Sequence, residues 1–228
     1  MRTLLLFDID GTLLTGGPAK AAFRRALLEV YGDAGPIEEW EFSGKTDPQI
    51  ARELLREAGM ADPEIEAGFE ELWRRYLAGM ARRMTEDPTQ LLPGVAALVE
   101  ALEGEAGVAL GLLTGNVMEG ARLKLRPVGL EGRFAIGAYG SDHEERNELP
   151  AIAVERARRW WRAPFEPPTV VVIGDTPRDI ECGRWFGTRT VGVATGRFTA
   201  ASLEEAGADR VLADLDDLER AMSALLEE

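Results

Sequence analysis

Two carboxylates follow a short apolar run near the start of the chain. The apolar residues 4–7 lead to Asp8 and Asp10, with Gly11 and Thr12 directly behind them. Open α/β sheets bind their ligands at the carboxyl ends of buried strands, so this is a candidate functional site. Two like charges on one face of a strand repel each other unless a cation, a proton or a change of backbone direction intervenes. The alternative is a turn in which both aspartates accept hydrogen bonds from nearby backbone N–H groups.

Two more apolar runs end in polar side chains. The run 170–173 ends just before Asp175, and Asp179 follows four residues later, where a helix is expected to begin. Another run ends at Thr114, and Asn116 is placed to cap the next helix. Each residue has a structural alternative, because Asp, Asn and Thr are common at helix starts. Those alternatives do not explain why several acids and a hydroxyl all follow apolar strands, where one crevice could collect them.

The elements that carry these residues indicate the fold class. Apolar runs of strand length recur along the chain, and most are continuous rather than alternating. Continuous runs are typical of strands buried on both faces of a parallel sheet, and the segments between them have helical spacing. The sequence therefore predicts an α/β fold with a doubly wound, mostly parallel, Rossmann-like sheet. The expected strands are 4–9, 108–113, 134–139, 170–173 and 190–193.

One interval breaks this alternation and predicts an insertion. Between about 16 and 90 the pattern is helical, with no convincing strand. Helices are expected to begin just before Pro48 and Pro63, because a side-chain acceptor followed by proline is a common helix start. The amphipathic stretch 18–31 predicts another helix. The expected domains are an α/β core of residues 1–15 and 92–228 and a helical cap of residues 16–91.

Composition and charge exclude several classes of partner. The chain has 228 residues, of which 45% are hydrophobic, and a formal net charge of -14. This charge repels nucleic acid and anionic membrane surfaces, and no window approaches the roughly 18 apolar residues that cross a bilayer. We therefore expect no nucleic-acid partner, no membrane partner, and a monomer or a homodimer. An anionic ligand would still require a cation at its site.

The start of the chain and its cysteine content predict the compartment. The first residues lead directly into a strand without the pattern of a secretory signal. The single cysteine, Cys182, cannot form an intramolecular disulfide. A cytoplasmic location is therefore expected.

Three segments resemble, in the same order, the motifs of haloacid dehalogenase-like hydrolases. They are Asp8 to Thr12, Leu113 to Asn116 and Gly174 to Asp179. The predicted insertion resembles the mobile cap of the branch that includes phosphoglycolate phosphatases and β-phosphoglucomutases. The resemblance implies a magnesium-dependent phosphatase that acts on a small phosphorylated metabolite, like a phosphoglycolate phosphatase. Catalysis would pass through an aspartyl phosphate.

The resemblance also implies a role for each acidic residue. Asp8 would attack phosphorus, and Asp10 would act as general acid and then as general base. Asp8, the backbone carbonyl of Asp10 and Asp175 would bind Mg²⁺, while Asp179 would orient a metal-bound water. The transferring phosphoryl group would be held by Gly11, Thr12, Thr114, Gly115 and Asn116.

The sequence departs from the family pattern at one basic residue. The family places a lysine before the last motif, where it neutralises the nucleophile and the phosphate. Between Asn116 and Gly174 the only lysine is Lys124, which we expect to lie too far along its helix. Arg146 is at the expected place, and a guanidinium can bind a carboxylate and a phosphate together. The alternative is a solvated surface arginine beside acidic neighbours.

A lysine in the cap is a candidate for substrate specificity. Lys45 follows Gly44 and precedes a helix start, which suits a loop that reaches over an anionic substrate. The equally simple alternative is an exposed lysine in an ordinary loop.

Two other functions remain open from the motifs. A sugar phosphomutase of the β-phosphoglucomutase type would use the same residues to return the phosphoryl group to a bound sugar. A noncatalytic phosphoacceptor module also clusters aspartates at strand ends, although the cap and the Asp10 motif disfavour it. Dehalogenases of this fold lack an acid at the position of Asp10, so carbon-halogen cleavage is not expected.

Overall fold

The computed structural model describes residues 2–227, which form an α/β core and a group of helices above it. In chain order the elements are β1 (Thr3–Phe7), β2 (Leu14–Gly16), α1 (Ala19–Tyr31), α2 (Asp47–Glu57), α3 (Asp62–Arg83), β3 (Thr89–Leu91), α4 (Val95–Gly104), β4 (Val108–Thr114), α5 (Met118–Leu125), β5 (Ile136–Tyr139), α6 (Leu149–Trp161), β6 (Val170–Gly174), α7 (Pro177–Phe186), β7 (Arg189–Val193), α8 (Ala200–Glu205), β8 (Arg210–Leu212) and α9 (Leu218–Leu226). Short 3-10 turns at Arg146–Glu148 and Pro167–Thr169 precede α6 and β6.

The main sheet has the strand order β5-β4-β1-β6-β7-β8, and all neighbouring strands are parallel. The chain moves outward from β1 through β4 to β5 and then returns to β6 on the other side of β1. This reversal opens a crevice at the carboxyl end of β1, which is where such sheets bind ligands. The predicted α/β fold is confirmed.

The observed strands differ from the expected ones mainly at their ends. The first strand stops at Phe7, so Asp8 and Asp10 lie beyond it and not on one strand face. The sheet also contains β8, which was not expected. This strand has only three residues, begins with the exposed Arg210 and buries only Leu212, so no apolar run marks it.

The predicted cap helices are confirmed, and they have an apolar cluster of their own. Helices α2 and α3 begin at Asp47 and Asp62, and each has a proline in its first turn. Thr46 caps α2, because its hydroxyl accepts a hydrogen bond from the Gln49 N–H at 3.2 Å. The cluster formed by the cap helices includes Phe23, Leu27, Leu54, Leu72 and Tyr76.

A short antiparallel ladder joins the cap helices to the core. Strands β2 and β3 pair from Leu14 with Leu91 to Gly16 with Thr89. These two strands lie at the edges of the interval in which no strand was expected. Their position supports the predicted boundaries at 15/16 and 91/92, which stay a prediction. None of the helices within residues 2–227 is long and apolar enough to span a membrane.

Candidate active site

Asp8 is the first residue beyond β1 and points into a buried ion pair. Its backbone N–H donates to the Ile173 carbonyl on β6 at 2.8 Å, which extends the parallel pairing by one residue. The residue is only 7% exposed, and one carboxylate oxygen accepts a hydrogen bond from Arg146 Nη2 at 3.0 Å. Burial and the nearby Asp179 raise the pKa of Asp8 to about 7, although Arg146 opposes that shift. The carboxylate is therefore in an environment that disfavours its charge.

Asp179 takes part in the cap of α7 and also faces the ion pair at Asp8. Thr176 is the N-cap of α7, and one Asp179 oxygen accepts from the Thr176 N–H at 3.0 Å and from its hydroxyl at 2.7 Å. The other Asp179 oxygen pairs with Arg146 Nη2. The capping box therefore fixes a carboxylate whose second oxygen faces the ion pair at Asp8.

Asp175 completes a cluster of three buried acids. The Thr12 hydroxyl donates to one of its oxygens at 3.3 Å. Burial, Asp179 and Asp8 raise the pKa of Asp175 to about 8. Gly11 lies against this carboxylate with φ of +84°, and a Cβ there would collide with the Asp175 side chain. Only glycine fits this close approach.

The three acids form a donor set that suits a hard divalent cation. Asp8, Asp175 and Asp179 each offer an oxygen atom, and these atoms lie within 4.8 Å of one another. Mg²⁺ and Ca²⁺ prefer oxygen ligands, and the raised pKa values of Asp8 and Asp175 show that the single Arg146 charge does not balance this cluster. The residues therefore fit a metal. The role of Asp179 in orienting a metal-bound water stays a prediction.

Arg146 is buried and not a surface arginine. It lies in the 3-10 turn before α6, is only 6% exposed, and bridges Asp8 and Asp179. Burial lowers the pKa of Arg146, but the two carboxylates outweigh that effect and raise it. The Cys182 thiol donates to the Arg146 carbonyl at 3.3 Å, and burial raises the pKa of Cys182 to about 12, which removes it as a nucleophile.

Asp10 lies in a different environment from Asp8. Its side chain is half-exposed, and one carboxylate oxygen accepts a hydrogen bond from Asn116 Nδ2 at 2.7 Å. Lys124 Nζ donates to both oxygens, at 2.8 and 2.7 Å. The change of backbone direction after β1 thus gives each aspartate its own cation.

The loop after β4 supplies a hydroxyl and an amide. Thr114 is fully buried, and its oxygen accepts from the Asn116 side-chain amide at 2.8 Å. The same amide group donates to Asp10, so Asn116 connects these two residues. The expected role of Asn116 as a helix cap is wrong, because Val117 is the N-cap of α5. The side chain is used within the site.

The cap contacts this loop through the start of α2. The Asp47 N–H donates to the Gly115 carbonyl at 2.8 Å, and an Asp47 oxygen accepts from the Val117 N–H at 2.8 Å. The Thr46 hydroxyl donates to the Glu144 carbonyl at 2.6 Å. A Cβ at Gly115 would collide with the backbone carbonyl before Thr46, so the approach of the two segments requires glycine there. The sequence identified Asp47 only as a helix start.

Lys45 lies at the roof of the site, but its charge is already paired. Its ammonium contacts Glu53 and lies 5.1 Å from the centre of the Trp40 ring. Trp40 Nε1 also donates to Glu53 at 3.2 Å. Lys45 is therefore not an exposed loop lysine, and a role in specificity stays a prediction.

A cavity of about 330 Å³ lies between the core and the cap. This volume suits a small molecule. A larger groove of about 720 Å³ lies at the β5 edge near Phe134 and Trp160, apart from the acidic cluster. The smaller cavity is lined from the core by Asp8, Asp10, Thr114, Lys124, Arg146 and Asp175, and from the cap by Lys20, Phe23, Phe42, Lys45, Ile50 and Tyr76.

Comparisons with known proteins identify the family. The haloacid dehalogenase-like hydrolase model matches residues 3–187. The chain is 28% identical over 222 residues to a phosphoglycolate phosphatase from Synechococcus elongatus, covering 97% of this chain and 98% of that protein. It is 30% identical over 192 residues to an N-acetylmuramic acid 6-phosphate phosphatase from Pseudomonas putida, covering 84% and 82%. The chain belongs to the haloacid dehalogenase-like hydrolase family.

Solved structures agree with this assignment at the level of the fold. A hydrolase from Pseudomonas syringae superposes with a TM-score of 0.73 at 24% identity, covering 97% of this chain and 98% of that one. The predicted enzyme class is confirmed, because the chain belongs to the haloacid dehalogenase-like hydrolases and its relatives are phosphatases. The chain is a hydrolase of the phosphatase type.

The structure corrects one expectation about this haloacid dehalogenase-like site. Lys124 was expected to lie too far along α5, yet its amine reaches the site and binds Asp10 rather than Asp8. Lys124 lies on the buried side of α5 with Ala121 and Leu125, so its long side chain extends over the core toward the loop after β1. The sequence signal for this position was a lysine on the otherwise apolar face of α5. Arg146 pairs with Asp8, and its role in place of the family lysine stays a prediction.

Proposed function

We propose that this enzyme hydrolyses a small phosphate monoester, with Asp8 as its nucleophile. The observation that carries this proposal is the buried cluster of Asp8, Asp175, Asp179 and Arg146, which borders a cavity of about 330 Å³ closed by the cap. A charged group is costly in such a place unless the site uses its charge.

The proposed reaction has two displacements at phosphorus. An oxygen of Asp8 attacks phosphorus, the bond to the leaving oxygen breaks, and its electron pair stays on that oxygen, which takes a proton from Asp10. Asp10 then removes a proton from water, the water oxygen attacks phosphorus, and the bond to Asp8 breaks. Inorganic phosphate and an alcohol are the products.

A divalent cation is needed because Asp8 and the substrate carry charges of the same sign. Their repulsion is about 1 kcal/mol per charge pair at 4 Å in water and larger in a partly desolvated cleft. We propose Mg²⁺, held by Asp8, the Asp10 carbonyl and Asp175, with Asp179 as a further ligand or as the group that orients a metal-bound water. Bound there, it would offset the negative charge on the phosphoryl group and the nucleophile.

The phosphoryl oxygens would be held by donors from two loops. Thr114 accepts hydrogen bonds from Asn116, and its own hydroxyl proton has no acceptor within residues 2–227, so it is available to a phosphoryl oxygen. The Thr12 hydroxyl is used by Asp175, so Thr12 would contribute its backbone N–H group. The Gly11 N–H donates to the Leu14 carbonyl at 2.8 Å, so Gly11 would act by shaping this loop. Gly115 and Asn116 would complete the set from the loop after β4.

We propose a substrate with a second negative charge. Lys20, Lys45 and Lys124 all line it, although each also contacts an acidic residue or a carbonyl. Phosphoglycolate and N-acetylmuramic acid 6-phosphate, which the relatives' names contain, each join a phosphate to a carboxylic acid. The volume of about 330 Å³ favours the smaller of the two. Phosphoglycolate is therefore the proposed substrate.

Phosphate release from a panel of phosphorylated metabolites, with and without Mg²⁺, tests the proposal. Asp8→Asn keeps the shape of the side chain but loses the anionic nucleophile, so we expect activity to fall by at least about 10⁴-fold. Asp87→Asn changes an exposed aspartate and is the matched control. Equal turnover by the wild type and Asp8→Asn would remove Asp8 from its role.

The same assay separates the alternative functions. Isomer formation that a bisphosphate stimulates would indicate a phosphomutase. A stable phosphoaspartate without phosphate release would indicate a noncatalytic phosphoacceptor.

A further inference from the structure

The Asp10 carboxylate is held by two side chains from one side. Lys124 Nζ donates to both of its oxygens, at 2.8 and 2.7 Å, and Asn116 Nδ2 donates to one of them at 2.7 Å. Three hydrogen bonds on one carboxylate leave it little rotational freedom. Charge-assisted hydrogen bonds of this length are among the stronger ones in proteins.

The two partners of this ion pair differ in exposure. The Lys124 side chain is 7% exposed and that of Asp10 is 46% exposed. A buried ammonium must keep its partner, because separation would leave an uncompensated charge in the interior. The lysine therefore stays in place, and the carboxylate that it holds lies at the wall of the cavity.

The position of Lys124 is itself fixed by the core and by the ladder to the cap. Its neighbours Ala121 and Leu125 are buried in the main apolar cluster. Its backbone carbonyl accepts a hydrogen bond from the Thr89 hydroxyl at 2.6 Å, and Thr89 lies on β3, the strand that returns from the cap. The backbone of Lys124 is thus held by the core and by the ladder that leads to the cap.

We propose that Lys124 is a positioning residue that aims the Asp10 carboxylate at the leaving oxygen of the substrate. The inference rests on the proposed function, since it assigns a part in that reaction. Arg146 pairs with Asp8 and Lys124 pairs with Asp10, so the two aspartates have different cations. Lys124 acts through Asp10 and does not itself transfer a proton.

This role makes a prediction about leaving groups. Before the first displacement, one Asp10 oxygen takes a proton from solvent and gives up its hydrogen bond from Lys124, which keeps its bond to the other oxygen. In the displacement, the electron pair of the broken bond moves to the leaving oxygen, and this proton neutralises it. A basic leaving group needs that proton, whereas a weakly basic one departs without it. Loss of Lys124 should therefore penalise substrates with basic leaving groups selectively.

The test compares phenyl phosphate with p-nitrophenyl phosphate, which have similar shapes but leaving groups of different basicity. For Lys124→Met we expect kcat/KM to fall about 10-fold more with phenyl phosphate than with p-nitrophenyl phosphate, part of the roughly 10²–10⁴-fold contribution of a positioned acid. Arg122→Met, an exposed cation on the same helix, is the control and should leave the ratio unchanged. An equal loss with both substrates, or no loss with either, would overturn the proposal.

A second variant covers the case in which Lys124→Met does not fold. Lys124→Gln keeps a hydrogen-bond donor without the charge and should change the ratio in the same direction by a smaller factor. An unchanged ratio in folded Lys124→Gln would also overturn the proposal. If the wild type releases no phosphate from the phosphorylated metabolites or from either aryl phosphate, or if Asp8→Asn releases it equally fast, the proposed function itself fails.

Discussion

The two aspartates of the first motif belong to groups that are built differently. The nucleophile group consists of Asp8, Asp175, Asp179 and Arg146, all of them buried and all from the α/β core. The cap-facing group consists of Asp10, Asn116, Lys124 and Asp47, and Asp47 comes from the cap. Core packing alone assembles the first group. The second is complete only when the cap lies on the core.

This difference separates the two tasks of the proposed reaction. The nucleophile group concentrates charge where water is excluded, as the raised pKa values of Asp8 and Asp175 show. In the cap-facing group, burial raises the pKa of Asp47 to about 6, and the positive charge of Lys124 opposes that shift. In the proposed reaction the core group would bind the metal and the phosphoryl group, and the group shared with the cap would respond to the substrate.

The largest effect is expected when the nucleophile group loses its cation, Arg146. Arg146→Met leaves Asp8 and Asp179 buried without their cation, so we expect a loss of about 3–5 kcal/mol in the free energy of unfolding without metal. We also expect kcat/KM to fall at least about 10²-fold. Urea denaturation and steady-state kinetics measure these changes. Arg146→Lys keeps the charge and should lose less of both, and a methionine variant as stable as the wild type would contradict the buried ion pair.

The next prediction concerns pH and the metal. The pKa of Asp8 rises from 3.8 to about 7 on folding, and that of Asp175 rises from 3.8 to about 8. A raised folded pKa stabilises the fold below the unfolded value, and this contribution is lost as the pH rises through the folded value. Metal-free protein should therefore lose stability between about pH 4 and pH 8 on account of these two groups.

A bound cation favours the ionised carboxylates, so its effect on stability should increase over the same pH range. Saturating Mg²⁺ at about 100 times its Kd adds about 2.7 kcal/mol, which corresponds to a rise in Tm of roughly 5–10 °C at pH 8. At pH 5 we expect a clearly smaller rise. Calorimetry with and without Mg²⁺ measures both values. The same increase at both pH values would mean that these carboxylates do not bind the metal.

The contrast between the groups also explains which parts of the site the sequence could predict. Asp8 and Asp175 follow long apolar strands, and the order of parallel strands brings their carboxyl ends together, so the sequence could predict that these two side chains lie close together. Arg146 was located by its place relative to the motifs. Continuous apolar runs were enough to predict most of the sheet. Strand β8 was missed because it is too short to form such a run.

The residues that the sequence did not reveal belong mostly to the cap-facing group. Lys124 reaches Asp10 because of the rotation of α5 against the core, which spacing from Thr114 alone does not give. Asp47 contacts the loop after β4 only because the cap docks there. A helix start was visible at Asp47, but docking between two separately folded regions depends on tertiary geometry.

The smallest effect is expected at the ion pair between Arg52 and Glu144, at the edge of the cap. Arg52 Nε, on α2, donates to both oxygens of Glu144 at 2.9 and 3.0 Å, so this ion pair crosses from the cap to the core. Glu144 remains partly exposed, and such pairs contribute only about 0.2–1 kcal/mol. Arg52→Met should therefore raise KM by at most about 5-fold, with less effect on kcat, because it weakens closure without touching Asp8.

The matched control for this pair lies one helical turn away. Arg56 forms its two hydrogen bonds of 2.7 Å with Asp62, so that ion pair stays within the cap. Arg56→Met should leave KM unchanged, whereas the KM difference caused by Arg52→Met should shrink as salt is raised, since salt screens the wild-type pair. KM measured for both variants over a series of ionic strengths makes the comparison. If both variants change KM equally, the effect comes from the stability of the cap and not from its contact with the core. Closure of the cap over the core must then depend on Thr46 and Asp47 instead.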